Sequence, residues 1–94
     1  MTDRKNSAPD EGEAEAIALR ALVWTLADEK RAERLLSLTG LTPDRLRAGL
    51  SERGVQAAIL DYLAYYEPDL IAFAEAEGLG PQDIMTAGRV LARA

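Results

Sequence analysis

Between Glu13 and Ala27 the chain reads EAEAIALRALVWTLA, and Ala14, Ile17, Ala18, Ala21, Leu22, Thr25 and Leu26 recur at i, i+3, i+4, with Val23 and Trp24 widening the apolar face. That period is the signature of an amphipathic helix, and a helix this apolar belongs at the centre of a fold. Asp28 then caps a second helix in which Ala32, Leu35, Leu36 and Thr39 share a face. Val55, Ala58, Ile59, Tyr62, Leu63 and Tyr66 form the cleanest stripe, with Ser51 as the expected cap. Leu70, Ile71, Phe73 and Ala74 follow Pro68, and Ile84, Ala87, Gly88 and Leu91 make the inward face of a last helix.

Two joints interrupt these stripes in nearly the same words, GLTPDRL from Gly40 and GLGPQDI from Gly78. Glycine closes a helix in the left-handed conformation at low steric cost. Proline then opens the next helix where its missing N–H has no intrahelical partner to lose, and an acid in that first turn suits the dipole. Thr42 caps and Pro43 begins a helix of about two turns around Leu46 and Leu50, which Gly49 and Ser51 weaken. The joints lie 38 residues apart, and the same offset pairs Ile17 with Val55, Trp24 with Tyr62 and Leu35 with Phe73. Either a degenerate duplication of a three-helix unit or convergent helix punctuation accounts for this. The predicted fold class is all-α, a compact bundle of five to six short helices.

The opening MTDRKNSAPDE is nearly devoid of apolar residues, so residues 1–11 are read as a mobile tail and 12–94 as a single helical domain. No apolar run approaches the length of a membrane span, and the N-terminus lacks the hydrophobic segment of a signal peptide, so no membrane partner and a cytoplasmic location are expected.

The chain has neither cysteine nor histidine. This inventory removes disulfides, thiolate and imidazole metal sites and the histidine-based nucleophile systems, so no enzyme, metal or cofactor is expected. Glu67, Asp69, Glu75, Glu77 and Asp83 are carboxylates without a calcium-loop spacing, and they read as a solvated acidic face.

Charge is uneven. Of the net −5, residues 1–29 hold three basic and seven acidic side chains, 30–53 hold six and three, and 54–94 hold two and six. The basic middle offers Lys30, Arg31, Arg34, Arg45, Arg47 and Arg53, and Tyr65, one turn after Asp61, is the aromatic expected to face solvent. Trp24, Tyr62 and Tyr66 fall on apolar faces and read as buried residues with polar tips at the rim.

Lys30, Arg31, Arg34, Arg45, Arg47 and Tyr65 are therefore the candidate partner-binding residues, for a protein partner or a second copy of the chain. A nucleic-acid reading, with PDRLRAGL as the recognition helix of a helix-turn-helix, ranks second because acids lie among these cations and the chain is acidic overall. The bland reading is local pairing, such as Asp28 with Arg31 or Asp44 with Arg47 at i, i+3.

The sequence of segments, ALRAL, LLSLTGLTPDRLR, AAILDYL and LIAFAEAEGLGPQDI, resembles a family of short bacterial proteins designated a domain of unknown function, number three-five-seven-two, over about residues 14–92. The resemblance implies a compact helical fold and brings no catalytic residues.

Overall fold

The computed structural model describes residues 9–93 and holds six helices: α1 (Glu11–Leu26), α2 (Glu29–Thr39), α3 (Pro43–Ala48), α4 (Arg53–Tyr65), α5 (Glu67–Glu77) and α6 (Pro81–Ala92). The all-α bundle follows the apolar stripes. Residues 1–8 of the expected tail lie outside the described residues, and the helix claims the tail's last residue, Glu11. The reason is a capping box that the sequence spells as Asp10-x-x-Glu13. The Glu13 N–H donates to the Asp10 carboxylate at 2.8 Å, and the Asp10 N–H donates to the Glu13 carboxylate at 3.0 Å.

The central position falls to α4, which packs on α1, α2, α5 and α6, while α1 lies against α2, α4 and α6. In α4, Val55, Gln56, Ala57, Ile59, Leu60, Tyr62 and Leu63 are all buried, a band wider than one stripe because neighbours surround it. Leu35, Phe73, Ile84 and Leu91 complete the core from the other helices, and the Trp24 and Phe73 rings meet at 5.6 Å with a tilt of 58°. The four inward residues expected of α6, Ile84, Ala87, Gly88 and Leu91, are the four it buries.

Both glycine joints adopt the left-handed conformation, Gly40 at φ 75° and Gly78 at φ 69°. Their hydrogen bonds differ. After α5 the Leu79 N–H reaches back to the Ala74 carbonyl at 2.9 Å, the long closing bond of a Schellman motif. After α2 the Leu41 N–H donates instead to the Thr39 hydroxyl at 3.2 Å, and that hydroxyl donates to the Leu35 carbonyl at 2.7 Å. A side chain thus stands in for a backbone bond, and the second joint has Glu77 where Thr39 would supply it.

The α3–α4 turn corrects one expectation. The cap of α4 is Glu52, not Ser51, because the Glu52 N–H closes a turn onto the Gly49 carbonyl at 2.9 Å and Ser51 is enclosed in that turn. The Glu52 carboxylate makes no capping bond and pairs with Arg45 at 2.6 Å. Gly49 is needed here for space. A Cβ on it would sit 2.6 Å from Val55 Cγ2 and 2.5 Å from Arg45 Nη1.

Candidate interaction surface

Two of the three basic residues of α2, Arg31 and Arg34, turn inward along one side of the bundle. Arg31 lays its guanidinium over the Trp24 ring at 3.8 Å and donates from Nη2 to the Trp24 carbonyl at 2.6 Å, closing the last turn of α1. Asp28 does not form the expected side-chain pair with Arg31, because its carboxylate accepts the Arg31 backbone N–H at 3.0 Å as the cap of α2. One turn on, Arg34 lies over the Tyr66 ring at 4.3 Å and reaches Asp69 of α5, donating from Nε at 3.2 Å and from Nη2 at 3.4 Å.

Asp69 is the buried centre of this cluster, since it also accepts the hydroxyl of Tyr62, a residue only 2% exposed. Burial pushes the Tyr62 hydroxyl well above the ordinary tyrosine range, and its hydrogen bond to Asp69 and the nearby negative charge add to this. For Arg34, burial pulls downward, but hydrogen bonds to Tyr62 and Asp69 and the Asp69 charge outweigh it and hold the guanidinium more firmly protonated. The cluster fastens α2, α4 and α5 to one another.

On α3 the pairing is superficial. Arg45 meets Glu52 and Arg47 meets Asp44, each at 2.6 Å, and Arg53 pairs with Glu11 across to α1. The Asp44–Arg47 pair is the one expected from i, i+3 spacing. Lys30 alone of the candidate cations is exposed with no ion pair or hydrogen bond among the described residues. The candidates therefore do not converge: Arg31 and Arg34 hold the bundle together, Arg45 and Arg47 lie in local pairs, and Tyr65 stands elsewhere.

Tyr65, 79% exposed, borders an open groove of about 710 Å³ between the second half of α2 and the outer side of α4. Ser37, Leu38 and Thr39 form one wall, Ala58, Asp61, Ala64 and Tyr65 the other, and the edge of Tyr62 the floor. Leu38 is a large aliphatic side chain left in solvent at this edge, and Asp61 is an exposed carboxylate with no ion pair among the described residues.

A family model described as a protein of unknown function (DUF3572) matches residues 11–94, from the first residue of α1 through the whole of α6. The chain belongs to the DUF3572 family. No curated protein and no solved structure matches it. The DUF3572 match covers every helix that builds the cluster and the groove.

Sequence reasoning missed two residues here, the buried Asp69 and the exposed Leu38. Asp69 reads as one acid among several, because its partner Arg34 lies 35 residues away and no local period points to it. Leu38 sits beside the buried face of α2, and only its apolar character at an exposed wheel position marked it. Asp61 carried the signal that did work, its i, i+4 relation to Tyr65.

Proposed function

We propose that this DUF3572 chain is a binding module for another protein, not a catalyst, and that it holds its partner in the α2–α4 groove. The supporting observation is Tyr65, a large aromatic side chain left almost fully in solvent beside Leu38 at the mouth of an open groove. Aromatic residues give much contact area at small entropic cost and dominate the energetics of protein interfaces. Asp61 sets the partner's chemistry as an apolar anchor beside a cation, because a lysine or arginine entering there meets both the carboxylate and the tyrosine face.

A phosphate backbone is a poorer fit. Phosphate contacts draw on unpaired lysines and arginines, whereas Arg45 and Arg47 are engaged with Glu52 and Asp44 and the groove itself presents a carboxylate. Polar groups placed for chemistry are equally scarce, since Asp69 and the Tyr62 hydroxyl are committed to each other and to Arg34.

The test is parallel capture from native lysate on the tagged chain, its Leu38→Asp, Tyr65→Ser variant and its Arg45→Glu, Arg47→Glu variant. The expected result is a protein retained by the unaltered chain and by the arginine variant and lost from the groove variant. Identical profiles on all three, or recovery of nucleic acid that disappears with the arginines, would contradict the proposal.

A further inference from the structure

The outer side of α1 carries a second apolar surface that does not touch the groove. Leu19 is 39% exposed, Val23 71% and Leu26 48%, so three of the large exposed hydrophobic side chains stand on one helix. With Ala16 they fall at i, i+3, i+7 and i+10, the a/d spacing of a two-heptad coiled-coil seam. The inner face of the same helix is a separate set: Ala14, Ile17, Ala18, Ala21, Leu22 and Thr25 are buried in the bundle. Both long sides of α1 are thus written as packing surfaces, and the bundle uses one. A helix with apolar side chains on two opposite sides is a helix meant to be covered on both.

We infer that a second copy of the chain covers this face, with the two α1 helices antiparallel about a two-fold axis level with Ala21. In that register Leu19 meets Val23 of the other copy and Ala16 meets Leu26, so all four seam positions find an apolar partner and large residues face smaller ones. A two-fold contact must be complementary to itself, and this arrangement satisfies that condition with no seam position left over.

Charge selects the same orientation. The acids of α1 are confined to its start, at Glu11, Glu13 and Glu15, and from Ala16 to Leu26 the only charge is Arg20. Beyond its other end Glu29 is offset by Lys30, which is exposed and has no partner among the described residues. Parallel pairing sets one acidic start against the other, whereas antiparallel pairing sets each against a nearly neutral end that carries this exposed lysine. Helix α1 has 16 residues, about 24 Å of axis, enough for two full heptads. Three large side chains per copy give less than the roughly 800 Å² per partner of a standard interface, so the dimer is weak and depends on concentration.

Sedimentation equilibrium tests the association and disulfide mapping tests its geometry. The average mass of the unaltered chain is expected to rise toward twice the monomer value as concentration increases, while Val23→Glu stays monomeric and keeps its helical circular dichroism. A Leu38→Asp, Tyr65→Ser control, altered in the groove, is expected to dimerise like the unaltered chain, which separates this contact from the groove reading. The chain has no cysteine, so Leu19→Cys and Val23→Cys variants can be mixed and oxidised without background. The mixed cross-link is expected to exceed its statistical share. A monomer at every concentration, dimerisation that survives Val23→Glu, or a predominance of like-with-like cross-links would each overturn the inference.

Discussion

Helices α1 and α6 pack against each other and yet distribute their apolar residues in opposite ways. In α6 the buried set, Ile84, Ala87, Gly88 and Leu91, is also the apolar stripe apart from Met85 and the half-buried Val90. In α1 the deepest positions are small, with Ala14, Ala18 and Ala21 fully buried, while Leu19, Val23 and Leu26 stand outside. Small residues on the inner face let the axis of α1 come close to its neighbours, and the large residues are then surplus to the core. A hydrophobic period therefore locates a helix, but the size of the residues within it decides which side faces in.

The contrast has a charged counterpart. The Arg34–Asp69–Tyr62 cluster joins three helices with its carboxylate nearly closed off, whereas Arg47 and Asp44 pair within one turn of α3 in open solvent. The first is expected to matter for the fold and the second hardly at all, since exposed pairs are screened and lose side-chain entropy.

The largest expected effect is on the α6 side of the comparison. Ile84→Ala should cost about 2–5 kcal/mol in urea unfolding, through lost burial and the cavity left behind. Next comes the close inner face of α1, where Ala21→Leu should cost about 1–3 kcal/mol by overpacking, although leucine is the better core residue elsewhere. A loss near zero there would mean that α1 is not held close.

Tyr62→Phe sharpens the charged half of the comparison through its pH dependence. Burial and the bond to Asp69 hold the native hydroxyl above the ordinary tyrosine value of 10.0, so the unfolded chain gives up this proton first as pH rises. The stabilisation is fully present below pH 10 and declines above it, because there the native state binds more protons than the unfolded state. Unfolding free energies of the two proteins should differ by about 1 kcal/mol below that pH and converge as it is exceeded. Arg47→Ala is the small end of the scale, expected to change stability by no more than about 0.5 kcal/mol in the same assay.

These contrasts also mark what the sequence could reveal. The six helices, both left-handed glycines and the inward set of α6 are local facts of period and punctuation, and they are legible. Ser51 misled because a capping residue and a turn residue look alike until the turn's hydrogen bond from Glu52 to Gly49 is seen. Asp69 and Leu26 were hidden for one shared reason. Their environment is set by packing between elements distant in the chain: Asp69 meets Arg34 from α2, and Leu26 faces solvent where α1 leaves the core. Of the candidate site, exposed Tyr65 was legible from its face, whereas the internal engagement of Arg31 and Arg34 required the packing of α2 on α1 and α5.

The two-sided character of α1 is tested most directly by thermal unfolding across about a hundredfold range of protein concentration, since association of the native state alone makes the midpoint depend on concentration. For the unaltered chain the midpoint should climb with concentration, and for Val23→Glu it should stay flat at the dilute value of the unaltered chain. Flat midpoints for both proteins, or a Val23→Glu midpoint well below the dilute value, would contradict the separation of an inner face that holds the fold from an outer face that joins two copies.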